Sequence, residues 1–309
     1  MELIFLGTPT FAVPTLERMV DAGHRVLAVF TQPDRPKGRG GKLSASPVKD
    51  AALRLGLPVN QPERIRRPEI AEQLKQMNPD AMVVVGYGQI IPQAIIDIPK
   101  RGIINVHASL LPKYRGAAPI QWAVANGETR SGVTTMRIDA GLDTGDMLLK
   151  WETEIGPEED ALALGGRLAE AGAALLVETL REDPMPERQD PAEATYAPIL
   201  KKEDGEVDWN WTARKIFNRS RGLLPWPGAF SFFRGQMFHL WKTRVASGVL
   251  SGTPGRMILQ KKRLMIACGE GSVLEAIEVQ VEGRKRMPAE AFLNGQQLTD
   301  DEMLGVKAA

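Results

Sequence analysis

The 309-residue chain has one cysteine, three histidines and no apolar run of the length that crosses a bilayer. A lone cysteine excludes an internal disulfide and suits a reducing compartment, so we expect a cytoplasmic protein. The amino terminus, MELIFLGTPTF, lacks the basic segment and the small-residue cleavage site of a secretory signal, and it predicts a buried first strand instead. We therefore expect neither a membrane protein nor a disulfide-rich secreted scaffold.

Several cofactor signatures are also missing from the sequence. The turn after the first predicted strand, LGTPTFA, has one glycine where a dinucleotide fold carries G-x-G-x-x-G, and no P-loop motif occurs. Histidine and cysteine are too few and too scattered to form a zinc cluster. The acids of MRIDAGLDTGDML resemble a calcium loop, but Gly141 and Lys150 occupy positions that an EF-hand gives to ligands. We expect no nucleotide cofactor and no metal.

Apolar segments alternate with amphipathic segments over the first 140 residues. The segments LIFLG, RVLAVFT, DAMVVVG, GIINVHA and GVTTMRID predict strands, several of them apolar on both faces, as a parallel sheet covered by helices requires. Helical patterns fall between them, near 46–55, 67–77 and 117–126. This succession predicts an α/β fold with a doubly wound, mostly parallel, Rossmann-like sheet.

The pattern changes in the second half of the chain. DALALGGRLAEAGAALLVETL predicts a long amphipathic helix, and a segment rich in proline and charge follows it. From about residue 228, short strands broken by glycine predict a small β-barrel. We expect a first domain over residues 1–190, a linker over 191–207 and a second domain over 208–309.

Two polar side chains share one face of the predicted strand GIINVHA. Asn105 and His107 are two residues apart, so in an extended strand both point to the same side, at the carboxyl edge where open α/β sheets bind ligands. A core histidine satisfied by hydrogen bonds, with Asn105 as a turn residue, is the structural alternative. Asp143 follows the next predicted strand in a glycine-containing loop, and we expect it to join the pair.

These three side chains suit one kind of chemistry. An asparagine amide can stabilise an oxyanion, a histidine can exchange a proton near neutral pH, and a carboxylate can orient the histidine. None of the three is a serine or cysteine nucleophile, whereas an α-amino group with a pKa of about 8 supplies a usable neutral fraction. The set therefore indicates direct acyl transfer to an incoming amine.

The segments NVHASLLPKYRG and DAGLDTGDML together resemble the folate-dependent formyltransferases, which pair N-x-H-x-S-L-L-P with a downstream aspartate. Segments similar to the family extend over nearly the whole chain, among them FLGTPTFAVPTLE, TQPDRPKGRGGKL, VVVGYGQIIP, RGAAPIQWAVANGE, KKEDGEVDW and PWPGAF. The resemblance implies that Asn105, His107 and Asp143 are catalytic. It also implies a formyltransferase domain at the amino end and an OB-like barrel that binds tRNA at the carboxyl end.

The resemblance further implies the substrates. The donor is expected to be 10-formyltetrahydrofolate, used as a co-substrate, and the acceptor the amino group of initiator methionyl-tRNA, in translation initiation. An amino-sugar nucleotide is the alternative acceptor, and we expect a monomer. The side chains implied for the folate slot are Ser109, Leu110, Leu111 and Pro112, with Gln89, Ile90 and Ile91 on the facing wall.

Basic residues form three clusters that the resemblance assigns to tRNA. Residues 206–309 carry 15 lysines and arginines against 10 acids, a weak sign of a polyanionic partner. Without the resemblance, these clusters are ordinary solvated surface. A catalytically inactive RNA-binding protein is an alternative function, and the presence of Asn105, His107 and Asp143 together disfavours it. The clusters are Arg35, Lys37, Arg39 and Lys42 in the loop 31–47, then Lys261, Lys262 and Arg263, then Arg284, Lys285 and Arg286.

Overall fold

In the computed structural model, which describes residues 1–37, 42–248, 252–296, 298–299 and 302–305, seven strands build a central sheet. The strands up to residue 197 are β1 (Glu2–Gly7), β2 (Arg25–Phe30), β3 (Arg35–Lys37), β4 (Lys42–Ser44), β5 (Val59–Asn60), β6 (Ala81–Val85), β7 (Ile103–His107), β8 (Arg115–Gly116), β9 (Arg130–Arg137), β10 (Met147–Glu154) and β11 (Tyr196–Ala197). The sheet order is β10-β9-β7-β6-β1-β2-β5, while β3 pairs with β4 and β8 with β11.

Helices connect these strands, and those at 47–54, 68–77, 119–125 and 161–182 lie where the sequence pattern predicts them, whereas the short helix at 93–96 was not predicted. They are α1 (Val13–Asp21), α2 (Pro47–Arg54), α3 (Pro68–Met77), α4 (Gln93–Ile96), α5 (Pro119–Ala125) and α6 (Ala161–Glu182). Helix α2 begins where it does because the Ser46 hydroxyl accepts a hydrogen bond of 3.0 Å from the Lys49 amide, as an N-cap does. Leu3 to Leu6 of β1 are fully buried, as a strand covered on both faces must be.

The predicted doubly wound, mostly parallel sheet is confirmed. Strand β1 is parallel to both β2 and β6, and β6 is parallel to β7, so the sheet grows outward from β1 in two directions. Strand β9 departs from the expectation, because it runs antiparallel to β7 with His107 opposite Thr134. The connection between them contains the two-residue strand β8 and the short helix α5, whose residues from Ile120 onward belong to another compact unit. The chain therefore enters β9 from the edge at which β7 ended.

The chain divides into two compact units. The first comprises Met1–Pro119, Arg130–Thr153 and Gly165–Ala197, and the second comprises Ile120–Thr129, Glu154–Leu164 and Pro198–Ala309. The predicted boundaries at 190 and 208 remain predictions. The structure changes unit between Ala197 and Pro198, and two earlier stretches of chain also belong to the second unit.

The second unit contains the strand-rich domain that the sequence predicts, and its sheet is antiparallel. Its elements are α7 (Ala213–Gly222), β12 (Ala229–Phe233), β13 (Gln236–Ala246), β14 (Met257–Gln260), β15 (Arg263–Ala267), β16 (Val273–Val281), β17 (Met287–Pro288) and α8 (Ala289–Asn294). The order is β12-β13-β16-β15-β14, with β17 beside β16. Leu304 bridges Phe233 at the end of β12, and Met303 bridges Arg256 just before β14, so this segment links the two edges of the sheet into a barrel.

The interior of the second unit is aromatic. Phe233, Phe238 and Phe292 pack with ring centroids 5.2–5.9 Å apart, inside the range of favourable aromatic pairs. Cys268 is buried in the same core, and this burial raises the pKa of its thiol to about 12. Among the helices of the described ranges, none combines the length and the apolarity needed to cross a membrane.

Candidate active site

Asn105 and His107 lie on one face of β7, as their spacing predicts, and are only 8% and 5% exposed. Asp143 faces both of them. Its Oδ1 is 3.5 Å from Asn105 Nδ2, and its Oδ2 is 3.7 Å from His107 Nδ1. The structure thus brings the three predicted catalytic side chains together.

A main-chain carbonyl sets the orientation of the His107 ring. Nε2 of His107 is 2.9 Å from the Tyr114 carbonyl oxygen. Because a carbonyl oxygen only accepts, Nε2 carries a proton and donates it. In the neutral ring Nδ1 is then unprotonated. Its distance of 3.7 Å from Asp143 Oδ2 is too long for a direct hydrogen bond. Nδ1 can therefore take up a proton beside a carboxylate that stabilises the resulting imidazolium.

Asp143 reaches the site by a route that the sequence did not predict. Strand β9 ends at Arg137 beside Ile104, at the amino end of β7, because the two strands are antiparallel. The loop 138–146 must therefore return along the sheet. Asp143 has a left-handed φ of 51°, and its Oδ2 accepts a hydrogen bond of 2.8 Å from the Gly116 amide. Backbone conformation and this amide together aim the carboxylate at β7.

The segment that the sequence predicts to be a linker forms one wall of the site. Strand β11 is parallel to β8, and the Ala117 amide donates a hydrogen bond of 2.9 Å to the Ala197 carbonyl. Gly116, with φ of 118°, lies so close to this wall that a Cβ would be 2.6 Å from the Ala197 carbonyl oxygen. Only glycine fits there without a backbone shift.

Two main-chain groups at the site could not be predicted from the sequence. The Tyr114 carbonyl and the Gly116 amide contact His107 and Asp143 respectively. A main-chain atom has no signature in the sequence, since every residue type supplies one. The signal that was present is the position of KYRG directly after the motif SLLP, which places this turn close to the end of β7.

The residues predicted for the folate slot after β7 stabilise the turn themselves. The Ser109 hydroxyl donates a hydrogen bond of 2.6 Å to the Lys113 carbonyl, and Leu110 lies against Gly132. Leu111 is buried with two methionines, and its peptide bond to Pro112 is cis. A role for these four residues in folate binding remains a prediction.

Of the three residues predicted for the facing wall, one side chain is exposed and the other two are hydrogen-bonded or buried. The Gln89 side chain accepts a hydrogen bond of 2.7 Å from the Ile65 amide and donates one of 3.2 Å to the Pro62 carbonyl. Ile91 is buried, whereas Ile90 is 92% exposed. Of these three predicted contacts, Ile90 alone offers open apolar surface to a flat ring.

The basic loop is anchored firmly at its base. Lys49 Nζ lies 2.6 Å from Asp34 Oδ2, and Gln61 donates a hydrogen bond of 2.7 Å to the same carboxylate. The hydrogen bond from Lys49, then that from Gln61, lowers the pKa of Asp34. Of the predicted tRNA contacts, Arg35 is exposed in β3, Lys37 and Lys42 are the facing ends of β3 and β4, and Arg39 lies outside the described residues.

The two basic turns of the barrel are exposed and partly paired with acids. Lys261 and Lys262 have left-handed backbone between β14 and β15. Lys262 Nζ is 3.4 Å from Glu290, and Arg263 Nε is 2.7 Å from Glu275. These acids offset part of the positive charge, so the net positive charge of the turn between β14 and β15 is smaller than its sequence indicates.

The other basic turn follows β16 and contains Arg284, Lys285 and Arg286. Arg286 forms an ion pair with Glu278, and its guanidinium lies 5.5 Å from the centroid of the Trp241 ring. It also lines a groove of about 430 Å³ in the second unit. Arg284 and Lys285 are exposed, which suits a phosphate contact.

Within the described ranges, no cluster of three or more metal-ligating side chains occurs.

The fold and the site suit an enzyme that transfers an acyl group to an amine. The comparisons with known proteins identify a family of that class. A family model described as formyl transferase matches residues 1–180, and a second, described as formyl transferase C-terminal domain, matches residues 199–297. The chain belongs to the formyltransferase family.

Two curated relatives are similar to this chain over nearly its whole length. The methionyl-tRNA formyltransferase of Solibacter usitatus is 63% identical and that of Koribacter versatilis 56% identical, each match covering 99% of both chains. A solved N-formyltransferase from Helicobacter canadensis, in complex with folinic acid and dTDP-3-aminofucose, shares the fold at a TM-score of 0.67 and 20% identity. That match covers 89% of this chain and 98% of the other.

Proposed function

We propose that this protein transfers the formyl group of 10-formyltetrahydrofolate to the amino group of initiator methionyl-tRNA. The observation that carries the proposal is the convergence of Asn105, His107 and Asp143 within 3.7 Å, in a site where a main-chain carbonyl leaves Nδ1 of the imidazole as the base. The names of the relatives at 63% and 56% identity favour tRNA over an amino-sugar nucleotide as the acceptor.

The geometry suits a direct transfer through a tetrahedral intermediate. The amine nitrogen attacks the formyl carbon, so that a C–N bond forms, the nitrogen becomes cationic and the carbonyl oxygen becomes anionic. The Asn105 amide donates a hydrogen bond to this oxyanion. Nδ1 of His107 accepts the proton that the nitrogen loses. Collapse restores the carbonyl and breaks the bond to N10 of the folate, which takes up the proton.

In this mechanism Asp143 stabilises the positive charge that His107 acquires. Its carboxylate lies 3.7 Å from Nδ1, where the imidazolium carries its new proton. The Gly116 amide holds the carboxylate in place throughout, so little reorganisation accompanies the proton transfer. We further propose that the enzyme acts as a monomer in the cytoplasm, where translation starts and a free Cys268 stays reduced.

The test is the transfer of labelled formyl from 10-formyltetrahydrofolate, offered in parallel to methionylated initiator tRNA and to an amino-sugar nucleotide. We expect label on the tRNA only, and a kcat lowered by about 10²–10⁴-fold in Asp143→Asn. Asparagine tolerates the left-handed backbone at this position, so the loop keeps its shape.

The matched control is Asp146→Asn, an exposed position in the same loop, which should leave kcat unchanged. Label on the sugar nucleotide alone would overturn the proposed acceptor but keep the trio. An Asp143→Asn variant as fast as the wild type would remove the carboxylate from the mechanism.

A further inference from the structure

Gln189 is a buried residue in an otherwise exposed segment. It is only 3% exposed, whereas Arg188 and Asp190 on either side of it are exposed. Just before it, Glu187 forms a bridge with Met147 at the start of β10. A polar side chain buried in a segment rich in charge and proline needs a reason, because burial of an amide costs free energy unless its hydrogen bonds are satisfied.

The side-chain amide of Gln189 is satisfied at both ends. Its Nε2 donates hydrogen bonds of 2.9 Å to the Asp143 carbonyl and 2.7 Å to the Gly145 carbonyl. Its Oε1 accepts hydrogen bonds of 3.0 Å and 2.7 Å from Nε and Nη2 of Arg115. A carboxylate cannot donate to the two carbonyls, and a lysine cannot accept from Arg115, so the arrangement requires an amide.

This network joins both walls of the active site. Arg115 lies between Tyr114, whose carbonyl orients His107, and Gly116, whose amide holds the Asp143 carboxylate. Gln189 holds the same loop from the other side, through the main chain of Asp143 itself. The loop is tight there, since a Cβ on Gly145 would lie 2.0 Å from the Arg137 carbonyl oxygen.

We propose that Gln189 is a positioning residue for formyl transfer, which holds the loop 138–146 so that Asp143 faces His107. The inference rests on the proposed function, in which Asp143 stabilises the protonated imidazole. Gln189 does not touch the reacting atoms in this arrangement. Its effect is exerted through the position of the Asp143 carboxylate, and a displacement of about 1 Å at a catalytic group can cost roughly 10²-fold in rate.

The variants Gln189→Met and Gln189→Glu remove the two hydrogen bonds to the loop in different ways. Methionine keeps the shape without polar atoms, whereas glutamate keeps the acceptor for Arg115 and loses the donor. We expect kcat to fall about 10–100-fold in both, with KM for methionyl-tRNA unchanged. The matched control is Arg188→Gln, which should leave kcat and KM unchanged. All rates are compared at a temperature at which circular dichroism shows every variant folded.

A double-mutant cycle separates positioning from a purely structural role. In the background of Asp143→Asn, Gln189→Met should lower kcat little further, because the carboxylate that Gln189 positions is absent. Fully multiplicative effects, or Gln189 variants with the kcat of the wild type, would overturn the inference. If Asp143→Asn itself keeps the kcat of the wild type, the proposed role of Asp143 fails instead. The two failures are therefore distinguishable.

Discussion

The Tyr114 carbonyl orients the imidazole of His107. Replacing His107 should therefore affect both the rate of formyl transfer and the stability of the protein. His107→Ala removes the proton acceptor and the hydrogen bond between His107 Nε2 and the Tyr114 carbonyl. We expect kcat to fall by about 10²–10⁴-fold and the free energy of unfolding to fall by about 1–3 kcal/mol. Single-turnover formylation and urea denaturation measure the two effects.

The control for His107→Ala is His24→Ala, which changes a histidine in the loop between α1 and β2. It should keep the kcat of the wild type. A His107→Ala variant that is folded and turns over at the rate of the wild type would exclude proton transfer by His107.

The ion pairs of the single side chain Glu275 should make the stability of the protein depend on pH. The hydrogen bond and ion pair from Arg263, with a smaller contribution from Arg244, lower the pKa of Glu275 below its usual value of 4.5. Because the folded pKa is below the unfolded one, the stabilisation is present above pH 4.5 and is lost as the pH falls through the folded pKa. The difference in free energy of unfolding between the wild type and Glu275→Gln should therefore close in acid.

Urea denaturation of the two proteins over a pH series checks this. Glu270→Gln, which changes an exposed glutamate near the start of β16, is the control and should show no such dependence. A difference for Glu275→Gln that stays constant down to about pH 3 would contradict the assigned cause.

At the scale of elements, the pairing of β8 with β11 depends on the absence of a side chain at Gly116. Gly116→Ala introduces both a left-handed alanine and a contact of 2.6 Å with the Ala197 carbonyl oxygen. Gly56→Ala introduces only the first, because nothing lies within 4 Å of a Cβ there. We expect Gly56→Ala to cost about 1 kcal/mol and Gly116→Ala about 1–3 kcal/mol more, with loss of turnover. Equal midpoints of thermal unfolding for the two variants would mean that β11 moves aside freely.

Elements with a long periodic pattern could be predicted from the sequence, and short or context-dependent ones could not. The strands β1, β2, β6 and β7 and the helix α6 carry apolar patterns that tertiary packing did not override. The direction of β9 depends on where the chain goes after α5, which no local pattern encodes. Strand β11 has two residues, too few for any alternation to be visible.

The same limit divides the predicted site. The spacing of Asn105 and His107 was sufficient to place them together, because a strand has a period of two. Asp143 was predicted from its place in the chain order and its glycine-rich loop, although the direction of β9 was unknown. Gln189 left no signal, since its partners are two main-chain carbonyls and an arginine more than 70 residues away.

At the scale of the whole molecule, the basic residues should act through the salt dependence of tRNA use. Arg284→Ala with Lys285→Ala removes two exposed cations from one turn of the barrel. We expect the slope of log KM for methionyl-tRNA against log salt to fall by about 0.7–0.9 for each phosphate that these cations no longer neutralise, with KM for the folate unchanged.

The control is Arg64→Ala with Arg66→Ala, which removes the same charge from exposed positions of the first unit. It should leave the slope close to that of the wild type. An equal fall in both pairs would mean that net charge, and not the turn after β16, governs the encounter with tRNA.

The parallel ladder of β8 and β11 has a consequence for the protein during its own synthesis. A nascent chain that has grown to residue 180 already contains Asn105, His107 and Asp143, yet it lacks the Gln189 amide and the Ala197 carbonyl that complete their surroundings. The matched span 1–180 of the family model thus ends before the active site does. If the proposed roles hold, we expect a ribosome-bound chain to become catalytically competent only after this later stretch has emerged and docked.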